Sequence, residues 1–263
     1  MEKRVKSECR NPIFQRDGKK VSVKMKSIIL YEDKDLLVCI KPALFPVQSA
    51  KAGAMDMESE LRNYLSAKKE PAAKLSVIHR LDQPVSGVIV FAKNAASAAK
   101  LSAAVQNGEM KKTYRALVVG RPKEEKGTLT DYLIRDSSSN LSRVCSENER
   151  NLLPANRKKE AKKAILSYRC LKEGVDSFYF QEMKELDYTE LEIRLQTGRH
   201  HQIRVQLSHM GTPIVGDIKY GDAAMAELSK KLNLKALCLC AYQLEFVHPT
   251  TGKKMHFCVK DAR

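Results

Sequence analysis

The chain has 263 residues, 43% of them hydrophobic, enough for one large domain or two small ones around a real core. Its 47 Lys and Arg against 31 Asp and Glu give a formal net charge of +16, a field that draws polyanions and makes nucleic acid the first partner to consider. No stretch has the apolar length that a bilayer requires and Met1 to Ser7 is charged with no hydrophobic run behind it, so the expected protein is cytoplasmic, with neither leader nor membrane partner.

Residues 1–26 hold nine Lys or Arg against three Asp or Glu and few apolar residues, the pattern of a basic N-terminal arm. From Ile28, the runs Ile28-Ile29-Leu30-Tyr31 and Leu36-Leu37-Val38-Cys39-Ile40 flank an acidic turn and close at Lys41-Pro42, which predicts a hairpin. Met57, Leu61, Tyr64 and Leu65 have helical spacing over 55–68. Next come Val77-Ile78-His79-Arg80-Leu81-Asp82-Gln83-Pro84 and a buried strand over Val88 to Phe91, so that Asp82 stands at the tip of a short, stiff turn between two β-branched runs. A loop on a rigid scaffold is a common seat for a reactive group, although a solvated turn aspartate is the plain alternative. Asn94 is placed to cap an Ala-rich helix reaching Gln106, and Asn107-Gly108 supplies a left-handed stop.

Thr113 to Val119 alternates as a strand with Tyr114, Ala116 and Val118 on one face. Residues 136–163 are polar and end in the basic run from Arg157 to Lys163, which reads as a long mobile surface loop. Strands are expected at Ala164 to Leu171, Ser177 to Met183 and Tyr188 to Leu195. The last alternates Leu191, Ile193 and Leu195 against Glu190, Glu192 and Arg194, so one solvated face is expected. Thr197-Gly198 opens a helix whose Ile203, Leu207 and Met210 make an apolar stripe that stops at Gly211. A final strand pair spans Ala236 to Phe246 and Lys254 to Val259.

The seven cysteines fall mostly in apolar runs, where a thiol behaves as a small hydrophobe, and reduced thiols are expected. Cys238 and Cys240 would share one strand face, yet they lack the spacer and the second pair of a zinc knuckle. His200, His201 and His209 likewise have no acidic or Cys companions at metal spacing, so no metal is expected.

Three ordered blocks carry more information than any single element: His79-Arg80-Leu81-Asp82 with Ser86-Gly87, then Lys112 to Gly120, then Thr197-Gly198-Arg199-His200-His201-Gln202-Ile203-Arg204. They continue through Gly211 to Asp217 and Tyr220-Gly221, and upstream through Tyr31-Glu32-Asp33 and Leu37 to Pro42. With these, the chain resembles the RluA-type family of RNA pseudouridine synthases over about residues 28–260. That resemblance implies an α+β fold, a mostly antiparallel bent sheet flanked by helices with a basic cleft across it, filling residues 27–263. It implies isomerisation of uridine to pseudouridine in structured RNA, ribosomal or transfer, with no cofactor. The first 26 residues are too short for the small S4 RNA-binding domain some relatives carry in front, and nothing demands a dimer, so a monomer is expected.

By the same resemblance Asp82 is the catalytic nucleophile, Arg204 the buried arginine that pairs with it, and Tyr114 the tyrosine beside the base. The chemistry agrees: a carboxylate divides one hard rearrangement into easier steps, a guanidinium keeps it ionised, and a phenol ring stacks on a base. Arg199 competes for the pairing role or faces phosphate, and Tyr114 has a plain core reading. Arg80 is placed to hold the gap left when the base is extruded, or to touch phosphate. His79, Lys112, His201 and Gln202 complete the expected substrate contacts. Gln83, Val85 and Gln206 stand where the family commonly has a basic residue, Thr and His, which touches substrate choice more than chemistry. A retained fold that binds RNA without turnover is the second reading, and a zinc-dependent base deaminase ranks last because its His/Cys/Glu signature is missing.

Overall fold

Every residue of Leu36–Lys41 is buried, as a strand covered on both faces must be. The structure, a computed structural model, describes residues 28–50, 53–69, 74–154, 160–171, 187–231, 234 and 236–261. Their order is β1 (Ile29–Glu32), β2 (Leu36–Lys41), α1 (Met57–Ala67), β3 (Ser76–Val77), β4 (Ser86–Ala92), α2 (Ala95–Gln106), β5 (Lys111–Val119) and β6 (Lys126–Asp136). There follow β7 (Leu141–Cys145), α3 (Glu147–Leu152), β8 (Lys162–Cys170), β9 (Tyr188–Leu195), α4 (Gln202–His209), α5 (Ala223–Lys231), β10 (Leu239–Val247) and β11 (Lys254–Cys258).

The strands form one open sheet in the order β1-β2-β4-β10-β5-β9-β8-β6-β7, with β3 joined to β4 and β11 to β10. All pairs are antiparallel except β4 with β10, which meet in parallel at Ser86 with Cys240 and Gly87 with Ala241. Gly87 has φ +126°, and a Cβ there would lie 2.2 Å from the Ala241 carbonyl oxygen. Only glycine permits that approach.

Side-chain alternation along β2 and β4 builds a core on each face. Leu37, Cys39, Ile89 and Phe91 pack with Met57, Leu61 and Leu65 of α1, whose apolar positions recur every four residues. Leu36, Val38, Val88 and Val90 pack with Leu101 of α2 and Phe257 of β11 on the other face. Asp56 caps α1 by accepting from Ser59 N at 2.8 Å, and Asn94 caps α2 by accepting from Ser97 N at 2.9 Å. Asn94 also donates to Asp35 at 2.8 Å, tying that helix to the β1–β2 turn. Gly108, at φ +70°, turns the chain away after α2.

Asp33, Asp35 and His248 bring their ligating atoms within 4.8 Å of one another. Nδ1 of His248 accepts from the N–H groups of Thr250 and Thr251 at 3.2 and 3.1 Å. The ring hydrogen therefore sits on Nε2 and goes to Asp33 at 2.8 Å. The trio ties the β1–β2 turn to the β10–β11 turn and leaves no Nε2 lone pair for an ion.

Several expectations change in three dimensions. Residues 136–163 do not form one long loop: Asp136 accepts from Ser138 and Ser139, reversing the chain into β7, and α3 follows. Five-residue β7 is too short and too polar to show alternation. Lys162 and Lys163 open β8, while Lys158 and Lys159, the 1–26 arm and the expected Ser177 to Met183 strand lie outside the described residues. Glu190 and Glu192 of β9 are buried rather than solvated. Arg115 of β5 lies 3.6 Å from Glu190 and 3.8 Å from Glu192, and Arg169 forks onto Glu192 at 3.0 and 2.9 Å.

Cys238 and Cys240 pack into opposite cores. The Leu239 N–H bonds the Leu237 carbonyl at 2.9 Å, a tight turn that breaks the strand alternation before β10 begins. The expected helix from Thr197 starts only at Gln202, because His201 takes a left-handed φ of +53°. Its polar faces are covered as well: Ile203 and Leu207 enter the main core, whereas Val205 meets Leu133 of β6 and Ala164 of β8.

Candidate active site

Asp82 starts a four-residue turn in which its carbonyl accepts the Val85 N–H at 3.0 Å. Leu81 and Val85 on either side are core residues, 7% and 3% exposed, so the turn is pinned at both ends and the intervening carboxylate faces outward. Its side chain keeps 32% of its exposure. Two further clasps hold the turn to the segment after β2. Lys41 Nζ donates to the carbonyls of Pro42, Phe45 and Gln83 at 2.8, 2.7 and 3.0 Å. Gln83 Nε2 donates to the Leu44 carbonyl at 3.1 Å, so the residue that departs from the family's usual basic type is exposed and tied back to the segment after β2.

Around Asp82 opens a cleft of about 640 Å³, bounded by the 78–85 turn, the end of α2, β5, and the 195–204 segment. Tyr114 lines it from β5. Burial, then the charge of Asp82, pushes the Tyr114 phenol far above its ordinary 10 and keeps it protonated at neutral pH. Arg204, 5% exposed, directs Nη1 to Asp82 Oδ2 at 3.8 Å. Its other two nitrogens fork onto Asp217, Nε to Oδ2 and Nη2 to Oδ1, each at 2.7 Å. Burial raises the Asp82 carboxyl above its ordinary 3.8, although Arg204 and Lys41 oppose the rise. The cations stop short of direct contact, so desolvation wins.

His201 places Nε2 3.7 Å from Asp82 Oδ2. Its Nδ1 meets the Tyr220 hydroxyl at 2.7 Å, and that hydroxyl accepts from Ser142 N at 2.9 Å. The phenol hydrogen therefore goes to Nδ1, leaving the imidazole hydrogen on Nε2 and aimed at Asp82. Burial and Arg204 push the His201 pKa down to about 3, so the ring is neutral. His200 stacks on it with centroids 3.7 Å apart, and burial with four surrounding cations lowers its own pKa to about 4.

Among the other expected contacts, Arg80 is exposed and lines the cleft with half-buried Lys112 and His79. Burial, then Lys112, lowers His79 to about 3. Exposed Arg199 also lines the cleft, with its Nε on the Lys163 carbonyl at 2.9 Å. Gln202 is 3% exposed, and its Oε1 accepts from Thr197 and Arg199 N at 2.8 and 3.0 Å, holding the turn before α4. Gln206 is also buried, donating to Asp131 at 2.7 Å. Of the two arginine candidates, Arg204 stands at the carboxylate and Arg199 at the rim.

Sequence reasoning missed Lys41, Asp217, Tyr220 and Arg135. The first three lay in the ordered motifs without a role, and a lysine ending an otherwise apolar strand was a readable signal of a buried ammonium. Arg135 reaches the cleft from β6, a strand whose position only the sheet order reveals.

The site is thus a carboxylate set among cations in an open groove, carried on a mostly antiparallel sheet. The family model described as RNA pseudouridylate synthase matches residues 35–209. The chain is 30% identical over 228 residues to tRNA pseudouridine synthase C of Vibrio cholerae, covering 86% of this chain and 88% of that protein. It is also 30% identical over 241 residues to ribosomal large subunit pseudouridine synthase D of the same organism, across 87% of this chain and 65% of that one. The solved structure of human RNA pseudouridylate synthase domain containing 4 shares the fold, with a TM-score of 0.67 at 24% identity over 89% of this chain and 88% of that one. The chain belongs to the RNA pseudouridylate synthase family, in its RluA-type branch. It is accordingly an isomerase that acts on RNA. Among the described residues no helix is long and apolar enough to cross a membrane.

Proposed function

We propose that the chain converts specific uridines of ribosomal or transfer RNA to pseudouridine with Asp82 as the nucleophile, Arg204 as its fixed counter-charge and Tyr114 as the platform for the base. The isomerisation breaks the C1′–N1 bond, forms C1′–C5, and moves a proton from C5 to N1, so no electrons enter or leave. The target base must leave its stack before a side chain can reach it. Arg80, on the same turn as Asp82, is placed to fill the gap. The protonated phenol of Tyr114 offers a ring face and a hydroxyl donor. His79, Lys112, Arg199 and His201 line the path, and Gln202 shapes it from within.

The observation that carries this reading is the placement of Asp82: partly exposed, raised in pKa by burial, and 3.8 Å from an arginine held elsewhere. A carboxylate locked in a two-pronged salt bridge would have neither oxygen free. This one has both the charge and the room. Residues 27–263 are the catalytic domain in this reading, acting as a cytoplasmic monomer, and the nine Lys and Arg of residues 1–26 add phosphate attraction. Similarity to a tRNA enzyme and to a ribosomal RNA enzyme supports a structured RNA substrate.

The test maps pseudouridine in total RNA by carbodiimide labelling and primer extension, in cells lacking the gene and in cells complemented with wild type or Asp82→Ala. A site lost on deletion and regained with wild type alone is the expected result and names the substrate. Asp82→Asn protein should bind that RNA with wild-type affinity and give no turnover. Restoration of the site by Asp82→Ala would remove Asp82 from the nucleophile's role.

A further inference from the structure

We propose that Asp217 is a positioning residue for the isomerisation: by taking the two-pronged edge of Arg204 it leaves both oxygens of Asp82 free to react. The inference rests on Asp82 being the nucleophile and adds a residue that does not line the cleft.

Asp217 is 2% exposed and does not line the cleft. Oδ2 accepts from Arg204 Nε and Oδ1 from Nη2, each at 2.7 Å, the fork geometry in which a guanidinium binds a carboxylate most strongly. Oδ1 also accepts from the N–H groups of Lys219 and Tyr220 at 3.1 and 3.3 Å. The Tyr220 ring lies over the guanidinium carbon at 5.0 Å. Arg204 is thus fixed along one edge and one face, and a single nitrogen, Nη1, is left toward Asp82 at 3.8 Å. Without Asp217 the strongest available partner for that buried cation is Asp82, and a fork there would occupy both carboxylate oxygens, one of which must attack.

The charged and titratable groups facing Asp82 are Arg204 of α4, Lys41 of β2, Asp217 and Lys219 after α4, His201 before α4, and Tyr114 of β5. Removing the Asp217 charge acts on Asp82 twice in the same direction. It deletes a nearby anion and releases Arg204 toward it, and both changes favour the ionised carboxylate. The acid limb of the activity profile, where that carboxylate protonates, must then move to lower pH.

The experiment follows tritium release from RNA labelled at uridine C5, extracted from cells lacking the gene, with purified full-length wild type, Asp82→Asn, Asp217→Asn, Arg204→Gln and the Arg204→Gln/Asp217→Asn pair. In Asp217→Asn, kcat should fall about 10- to 100-fold, the scale of losing a group that orients a reacting one. KM for RNA should stay within about 3-fold, and the acid limb should shift down. The double variant should be no slower than Arg204→Gln and should melt at a higher temperature, because Arg204→Gln alone strands a buried carboxylate. An unmoved acid limb, or losses that multiply in the double variant, would overturn the inference.

Should Asp217→Asn not fold, arginine-labelled protein supplies the answer by nuclear magnetic resonance. The Arg204 Nε–H signal and its exchange rate should be the same in wild type and Asp82→Asn if Asp217 is the holder, and altered if Asp82 is. Turnover by Asp82→Asn overturns the nucleophile and this inference together. A dead Asp82→Asn beside a wild-type-like Asp217→Asn overturns the inference alone.

Discussion

The ammonium of Lys41, wholly buried at the end of β2, donates to the carbonyl of Gln83 at 3.0 Å and so fastens the residue beside Asp82 to a fully buried strand of the sheet. Burial lowers the Lys41 pKa to about 7 and the charge of Asp82 opposes the fall. Three accepting carbonyls match the three hydrogens of its charged form. The lysine therefore couples the rigidity of β2 to the position of the carboxylate.

Lys41→Met keeps the apolar stem and removes the three donors. Stability should fall by about 2–4 kcal/mol, since the stranded carbonyls outweigh the relief of removing a buried charge. Turnover should fall further than the lost folded fraction explains, as the Asp82 turn loosens. Urea denaturation beside single-turnover rates separates the two effects, and a fully stable, fully active variant would show that the clasp is not needed.

Gly87→Ala tests the parallel contact that sets the far end of the same turn. The added methyl would meet the Ala241 backbone at 2.2 Å and would sit at φ +126°. Backbone on both sides prevents a cheap adjustment, so a loss of about 3 kcal/mol or more is expected. Thermal melting reads it directly, and a shift of only a degree or two would mean that β4 and β10 separate easily.

Acid should weaken the fold well before its carboxylates protonate. The pKa values of His79, His200 and His201 are lowered to about 3, 4 and 3, chiefly by burial. An unfolded chain takes up these protons near 6.5, so between about 6.5 and 4 the unfolded state binds more protons and stability falls as pH falls. Each ring contributes at most about 1.4 kcal/mol per pH unit in that window, less for the partly exposed His200. Denaturation midpoints from pH 7.5 to 4.5 should decline, and His79→Gln should flatten the decline. A midpoint constant down to pH 4.5 would mean that the rings are already charged in the folded protein.

The rim cations should set the salt dependence of RNA binding. In the Asp82→Asn background, replacing Arg80, Lys112, Arg135 or Arg199 by Gln should each lower the slope of log affinity against log salt by roughly 0.7 for every phosphate that is no longer neutralised. Filter binding across a salt series measures this. Arg135 is the informative member because it comes from β6, outside the three motifs, and an unchanged slope there would place the RNA away from the β6–β7 hairpin.

Elements whose signals are local are legible in the order of the residues alone. The caps at Asn94 and Gly108, the β1–β2 hairpin, the apolar spacing of α1 and the alternation of β5 all follow from interactions within a few residues. The ordered motifs likewise marked Asp82, Tyr114 and Arg204 as one set. Features that depend on neighbours distant in the chain emerge only on folding. Glu190 and Glu192 look solvated until Arg115 and Arg169 meet them across strands, and β7 acquires its strand character only from pairing with β6. Arg204 is the plainest case. Sequence placed it near a carboxylate, but two carboxylates compete for it, and the choice of Asp217 for the fork depends on distances that no spacing along the chain encodes. Local propensity is written in contiguous residues, whereas the pairing of buried charges is settled by which partner the folded backbone brings within about 3 Å.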